Sequence, residues 1–177
     1  MSLPEPELCD AARGIRLRPW RDDPGDVAAL AAAWREPSVV VGNPVPPDTS
    51  PTGARRWIAG ELQRRRRGLA LDLVVSPVGG DLVWGEVGLR GFDPAVRRAE
   101  LGWWLAPGAR GRGVAAAAVD LVAAWSLGAP LGLRQVWARI DPANRASADV
   151  AAAAGFHRLG AAGGADIWSR EALPNGR

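Results

Sequence analysis

The sequence predicts one mixed α/β domain built on a mostly antiparallel sheet. Strand-like segments within residues 70–105 are joined by short turns rich in glycine and proline, which is typical of antiparallel hairpins. An apolar strand, a glycine loop, an alanine-rich helix and another strand then follow in residues 101–140, which indicates a strand–helix–strand unit. We therefore expect about seven strands and about four helices.

The first half of the chain predicts one strand and two helices before the hairpins begin. Residues 15–20 alternate apolar and basic side chains and predict the first strand. Helices are predicted at residues 26–34, which lie between two prolines, and at residues 52–67. Residues 42–47 predict a loop, because their prolines exclude regular backbone hydrogen bonding.

The second half predicts six further strands and two further helices. The strands are expected at residues 70–75, 82–89, 98–105, 135–140, 156–159 and 165–169, and the helices at residues 115–125 and 147–154. We expect a single domain over residues 13–171, because no internal repeat or linker interrupts it. Residues 1–12 and 172–177 are expected to be flexible termini.

Composition is that of a compact protein, with 47% hydrophobic and 23% charged residues. Cys9 is the only cysteine, so the chain has no intramolecular disulfide and no cysteine-rich metal site. No apolar stretch reaches the roughly 20 residues that cross a bilayer, and the first ten residues do not resemble a signal peptide. We therefore expect a cytoplasmic protein.

The high isoelectric point, about 10.7, is weak support for a nucleic-acid partner. All basic residues are arginine and the net charge is only +3, so the residue type raises the isoelectric point more than excess charge does. The arginine run at residues 64–67 closes a predicted helix. It is either a solvated helix end or a docking patch for an acidic partner.

A glycine loop at residues 110–115 is the most informative motif. Arg110, Gly111, Arg112, Gly113, Val114 and Ala115 lie between an apolar strand and a helix, where glycines and the positive helix end together hold a pyrophosphate. Gly111, Gly113 and Ala116 also satisfy a relaxed dinucleotide-binding pattern. That pattern needs an acid about 20 residues further on, and none lies at that distance before Asp141.

A second motif follows the next predicted strand. Asn144, Ser147, Gly155 and Phe156 lie at the offsets of Asn-x-x-Ser followed by Gly-Phe, and Arg110, Gly113 and Ala115 match Arg-x-x-Gly-x-Ala. With both motifs in this order, residues 13–170 resemble the GNAT acyltransferases. The amino-acid sequence from Ala99 to Phe156 most resembles the branch that contains the ribosomal-protein N-terminal acetyltransferases.

The resemblance implies the GNAT fold, with a sheet splayed around a coenzyme A cleft, and acetyl-CoA or another acyl-CoA as co-substrate without a metal. It implies that the main chain of Trp103, Trp104 and Leu105 binds the pantetheine arm and polarises the thioester carbonyl. Residues 110–115 would then bind the pyrophosphate, and Asn144 would contact the cofactor. Arg110 and Arg112 either reach a phosphate or are solvated. The acyl group is transferred by direct attack of a primary amine in a ternary complex.

Glu100 and Ser147 are the candidate catalytic residues. By resemblance, Glu100 accepts the proton of the amine, directly or through water; otherwise it is an exposed carboxylate paired with Arg97 or Arg98. Many GNAT enzymes protonate the thiolate with a tyrosine, but that position is Ala151 and the chain has no tyrosine. Ser147 would then contact the sulfur, or Asn144 and Ser147 would only cap a helix.

The acceptor is a protein N-terminus or a small-molecule amine, and the sequence does not decide between them. We expect Trp34 and residues 43–48 and 160–164 to surround it, and His157 to be structural. An arginine in the cleft would favour an acidic acyl group, such as succinyl, or an acidic acceptor. A catalytically inactive acyl-CoA sensor and a basic nucleic-acid-binding module remain as alternatives. We expect no membrane partner, and a monomer or homodimer.

Overall fold

The computed structural model describes residues 2–6 and 8–173, and these residues form eight strands and five helices. In chain order the elements are β1 (Leu8–Asp10), β2 (Ile15–Pro19), α1 (Pro24–Ala33), α2 (Pro37–Val40), α3 (Pro51–Arg66), β3 (Ala70–Pro77), β4 (Gly85–Asp93), β5 (Arg98–Leu105), α4 (Val114–Leu127), β6 (Gln135–Ile140), α5 (Arg145–Ala153), β7 (His157–Ala162) and β8 (Ala165–Glu171). The predicted mixed α/β fold with a mostly antiparallel sheet is confirmed.

The strands form one sheet in the order β1-β2-β3-β4-β5-β6-β8-β7. Every neighbouring pair is antiparallel except β5 and β6, which run parallel. The parallel pairing is short and joins Arg98, Ala99 and Glu100 only to residues 135–137. Both strands continue beyond it, so they diverge and open a V-shaped cleft in the middle of the sheet.

Helices cover both faces of the sheet, and each face has its own core. On one face α4 and α5 pack over an aliphatic cluster that includes Leu71, Val87 and Leu101. On the other face α1 and α3 pack against each other, over a cluster that includes Trp20 and Trp104. Because alternate residues of a strand point to opposite faces, β5 contributes to both cores.

Side-chain caps mark the beginnings of α1, α3 and α5. The Asp23 carboxylate accepts a hydrogen bond from the Asp26 N–H at the start of α1, and the Ser50 hydroxyl accepts one from Gly53 at the start of α3. Asn144 caps α5 in the same way. Each cap satisfies a backbone donor that the first helical turn leaves without a partner.

The structure differs from the sequence-based prediction mainly in two short additional elements, strand β1 and helix α2. Strand β1 forms where no regular structure was expected, because three residues are too few to show a period, and Leu3 is buried. Pro37 begins helix α2 as its first residue, a position that proline tolerates, whereas we expected it only to end the preceding helix. Residues 174–177, within the predicted flexible C-terminus, lie outside the described residues.

Candidate active site

A cavity of about 790 Å³ opens where β5 and β6 diverge. It is lined by β5, the loop before α4, the first turns of α4 and α5, the end of β6, and the α2 segment. Of the predicted site residues, only Arg112 is not among those that line the cavity. The predicted site residues that do line it are Glu100, Trp103, Trp104, Leu105, Arg110, Gly111, Gly113, Val114, Ala115, Asn144 and Ser147. The structure therefore brings both sequence motifs to one cleft.

The glycine loop presents backbone N–H groups to this cleft. Gly111 and Gly113 have φ angles of 74° and 73°, in the left-handed region that favours glycine. A Cβ at either position would meet no atom within 4 Å, so the glycines are required by backbone conformation and the space beside them is open. The N–H groups of residues 114–116 lie in the first turn of α4, where no intrahelical acceptor is available. This arrangement suits a pyrophosphate.

The two loop arginines have different surroundings. Arg110 donates to the Leu105 carbonyl from Nε at 3.0 Å and from Nη2 at 2.8 Å, and to the Ser38 hydroxyl at 2.9 Å. It therefore joins the loop to the end of β5 and to α2 across the cleft. Arg112 lies instead over the Trp84 ring, 4.8 Å from its centroid, and outside the cleft lining. Only Arg110 is placed beside the space for an acyl-CoA.

Strand β5 has one unpaired edge along the cleft. Residues 102–105 pair with β4 on one side, whereas the pairing with β6 ends at Glu100. Apart from the Leu105 carbonyl, which accepts from Arg110, their outer N–H and C=O groups are therefore available to a ligand. Trp103 packs against the aliphatic core and Trp104 against the opposite cluster, where it stacks on Trp20 at 6.5 Å between ring centroids. Successive side chains of this strand therefore point to opposite faces of the sheet.

Glu100 is ion-paired with Arg90, which sequence reasoning did not identify. The Arg90 Nη2 donates to Glu100 Oε1 at 2.8 Å, and the Glu100 side chain is only 16% exposed. The antiparallel register of β4 and β5 places these residues directly opposite each other. The expected partners lie elsewhere: Arg98 approaches Asp93 at 3.8 Å, and Arg97 donates to the Gly132 carbonyl.

Asn144 and Ser147 meet at the start of α5. The Asn144 Oδ1 accepts a hydrogen bond from the Ser147 backbone N–H at 3.0 Å, so Asn144 is the cap of the helix. The Ser147 side chain does not take part in this capping bond, and its hydroxyl is left available to a ligand in the cleft. Both residues line the cleft, but only the Asn144 side chain caps the helix.

A half-buried carboxylate on β4 also lay outside the sequence prediction. Glu86 Oε2 accepts a hydrogen bond from the Trp20 indole at 2.8 Å, and Glu86 pairs with Trp104 across the β4–β5 ladder. Burial, together with the negative charge of Asp72, raises the pKa of Glu86 to about 8, against the lowering effect of its hydrogen bond with Trp20. Burial also raises the pKa of Asp72, against the lowering effect of Arg64. Glu86 is therefore mostly protonated at neutral pH.

The segments expected around the acceptor are only partly at the cleft. Asn43 lines it, and its side-chain amide donates to the Val39 carbonyl. Trp34 is buried against Trp57 in the aromatic core instead. His157 is exposed, and neither it nor residues 160–164 are among the lining residues.

The arginine run at the end of α3 is partly structural. Arg64 bonds to Asp72 at 3.2 Å and lies over the Trp57 ring, and Arg65 pairs with Glu5 at 2.7 Å. These contacts hold α3 against the sheet and against the N-terminal segment. They favour a helix end with internal partners over a docking patch made of all four arginines.

Comparison with known proteins identifies the class of protein that this fold and cleft define. A family model described as an acetyltransferase (GNAT) domain matches residues 15–157. The chain belongs to the GNAT family and is an acyl-CoA-dependent N-acyltransferase, with acetyl-CoA or another acyl-CoA as co-substrate, as the sequence predicts. No curated protein sequence matches the chain.

Solved structures with the same fold include several acetyltransferases. RimJ from Mycobacterium smegmatis, in complex with CoA-disulfide, is 23% identical with a TM-score of 0.75, over 89% of this chain and 82% of that one. The ribosomal-protein-S5-alanine acetyltransferase from Vibrio fischeri is 21% identical with a TM-score of 0.75, over 90% and 93% of the two chains. The microcin self-immunity acetyltransferase MccE, in complex with acetyl-CoA and AMP, is 17% identical with a TM-score of 0.75, over 89% and 92%. The predicted likeness to ribosomal-protein acetyltransferases is confirmed.

Two further findings concern the described residues only. No helix within them is long and apolar enough to cross a membrane. Nowhere in residues 2–6 and 8–173 do three or more His, Cys, Asp or Glu side chains come together as a possible metal site.

Proposed function

We propose that the protein transfers an acetyl group from acetyl-CoA to a primary amine, by direct attack in a ternary complex. The observation that carries the proposal is the single cleft that joins the glycine loop and Ser147 on one side to Glu100 and Arg90 on the other. Donor and acceptor therefore meet at the unpaired edge of β5. Holding two reactants in one geometry removes much of the entropic cost of their encounter.

The donor side of the cleft holds the acyl-CoA along its length. The first N–H groups of α4 and the Arg110 guanidinium lie where the pyrophosphate would bind. The unpaired edge of residues 102–105 bonds the pantetheine arm as a neighbouring strand would, and one N–H there polarises the thioester carbonyl. Asn144 fixes the start of α5, which positions Ser147 beside the sulfur.

The reaction follows from this placement. The amine nitrogen attacks the carbonyl carbon and forms the C–N bond, while the carbonyl oxygen takes the electron pair. The C–S bond then breaks, and the electron pair leaves on the sulfur of coenzyme A. The Ser147 hydroxyl donates a hydrogen bond to that thiolate, and the nitrogen gives up its proton to Glu100, directly or through water.

The ion pair with Arg90 is compatible with this role of Glu100. Arg90 contacts Oε1 only, so the second oxygen remains able to accept a proton or to orient a water molecule. The acceptor is a protein N-terminus or a small-molecule amine. A protein acceptor is supported by the fold shared with a ribosomal-protein acetyltransferase.

An acceptor screen tests the proposal. Purified protein and acetyl-CoA are incubated with peptides of varied N-terminal residue and with a panel of small amines, and free thiol and product mass are recorded. We expect thiol release that depends on one class of amine, with a product heavier by one acetyl group. Acetyl-CoA binding without turnover on any amine would instead favour a catalytically inactive acyl-CoA sensor.

A further inference from the structure

The cleft contains an open space above Gly102, on the side of β5 where the acceptor would bind. A Cβ built on Gly102 would meet only the Arg90 guanidinium, at 3.9 Å. Gly88, the residue paired with it on β4, is different, since a Cβ there would lie 2.9 Å from the Leu71 carbonyl oxygen and 3.0 Å from Asp72 Oδ1. Packing therefore requires Gly88, whereas glycine at position 102 leaves room for a ligand.

Two guanidinium groups border the cleft on this side. Arg90 is already bonded to Glu100, so the two charges offset each other. Arg139 lies opposite Gly102 across the gap, because Glu100 pairs with Trp137 and both strands run in the same direction. Its side chain lines the same cleft.

Arg139 differs from Arg90, whose charge is paired with Glu100. It is exposed and lies over the Trp137 ring, 5.7 Å from the centroid, and within residues 2–6 and 8–173 it forms no ion pair with a carboxylate. The tryptophan ring faces the guanidinium itself, and within the described residues the guanidinium donors bond to no acceptor. The Arg139 guanidinium is therefore open to an anion in the cleft, although Asp141 and Asp149 line the same cavity.

We propose that Arg139 binds a carboxylate carried by a substrate next to the transferred acyl carbon. A guanidinium matches the two oxygens of a carboxylate with parallel hydrogen bonds, and the space above Gly102 accommodates the group. The carboxylate belongs either to the acyl chain, as in succinyl-CoA, or to an acidic acceptor amine. This inference rests on the proposed function and narrows its substrate class.

The test compares matched pairs of probes that differ in one negative charge. In the first arm, calorimetry measures the Kd of succinyl-CoA and of acetyl-CoA. In the second arm, the Kd of the amide of the dipeptide Ala-Glu is compared with that of Ala-Gln, on protein saturated with coenzyme A. We expect the carboxylate probe to bind about ten- to hundredfold more tightly in one arm, which identifies its source.

Variants then assign the preference to Arg139. R139Q should abolish it, R139K should retain part of it, and R98Q should leave it unchanged, since Arg98 is an exposed arginine of β5 outside the cleft. Equal binding of charged and neutral probes in both arms would overturn this inference and leave the proposed function intact. So would a preference that survives in R139Q with an unchanged Tm. Wild-type protein that binds neither acyl-CoA would contradict the proposed function as well.

Discussion

At the start of α5, two side chains three residues apart have different roles. Asn144 accepts the hydrogen bond that begins the helix, whereas Ser147 contributes only its backbone N–H to that bond. Sequence alone left both residues as possible caps. The structure assigns the capping energy to Asn144 and leaves the Ser147 hydroxyl facing the cleft, so the two substitutions should have separable effects.

Ser147→Ala should lower turnover by about ten- to hundredfold, because a charge-assisted hydrogen bond to the thiolate contributes roughly 1.5–3 kcal/mol. Its Tm and its Kd for acetyl-CoA should stay near those of the wild type. Asn144→Ala should instead cost about 1 kcal/mol of folding stability, the usual effect of losing a cap. Steady-state rates and thermal melts on both variants check this, and a wild-type rate in Ser147→Ala would remove the hydroxyl from the mechanism.

Glu100→Gln should lower turnover by about a hundredfold or more, the typical contribution of a general base, with acetyl-CoA affinity unchanged. The pH–rate profile of the variant should lose its acidic limb, because the amide does not titrate. Glu171→Gln is the control, since Glu171 is exposed and outside the cleft. If Glu100→Gln left turnover and the pH–rate profile unchanged, Glu100 would have only a structural role, as the ion-pair partner of Arg90.

At the scale of elements, the turn from β5 into α4 produces the proposed phosphate site. Two glycines with positive φ reverse the chain, so that the first turn of α4 points its N–H groups at the cleft. Neither glycine is crowded, so the loop depends on backbone conformation and on the open approach it leaves to a ligand.

Gly113→Val should therefore abolish acetyl-CoA binding, since a β-branched residue strongly disfavours a φ of 73° and its side chain would occupy the approach to the helix end. Gly108→Ala in the preceding turn is the matched control, because Gly108 is equally uncrowded and has no positive φ. Calorimetry on both variants, with circular dichroism to confirm folding, measures the effect. Undiminished affinity in Gly113→Val would refute the assigned role of this loop.

At the scale of the whole molecule, the contact between Glu86 and Trp20 ties β4 to the segment that follows β2, and the burial of Glu86 makes stability depend on pH. The folded protein holds the Glu86 proton up to a pKa of about 8, whereas the unfolded chain releases it near the ordinary value of 4.5. Between these values the folded state binds more protons than the unfolded state. Stability should therefore fall as the pH rises through this window.

Glu86→Gln should flatten this dependence, because the amide resembles the protonated acid in shape and cannot ionise. Urea denaturation at pH 5, 6.5 and 8 should give a falling midpoint for the wild type and a shallower slope for the variant, with some slope left by Asp72, whose pKa is also raised. Glu171→Gln should behave as the wild type does. A wild-type midpoint that rises from pH 5 to pH 8 would contradict the assignment.

Much of the fold and of the donor site was predictable because the responsible signals are local. Glycines at positions 111 and 113, the Asn144 cap and the side-chain alternation of β5 each act within a few residues, so their spacing along the chain reflects their geometry. Strand β1 and helix α2 were not predicted, because three or four residues do not establish a period.

The sequence by itself determined the family and predicted an acyl-CoA loop, since the two motifs that carry both depend on short-range spacing and backbone conformation. Only the tertiary structure decided the partners of the charged groups: Arg90 on Glu100, Trp20 on Glu86, and Arg139 without a carboxylate within the described residues. The contact of Glu86 with Trp20 joins residues 66 positions apart, and Arg139 faces the cleft because β6 diverges from β5. Such juxtapositions depend on sheet register and on long-range packing, which no local pattern of residues encodes.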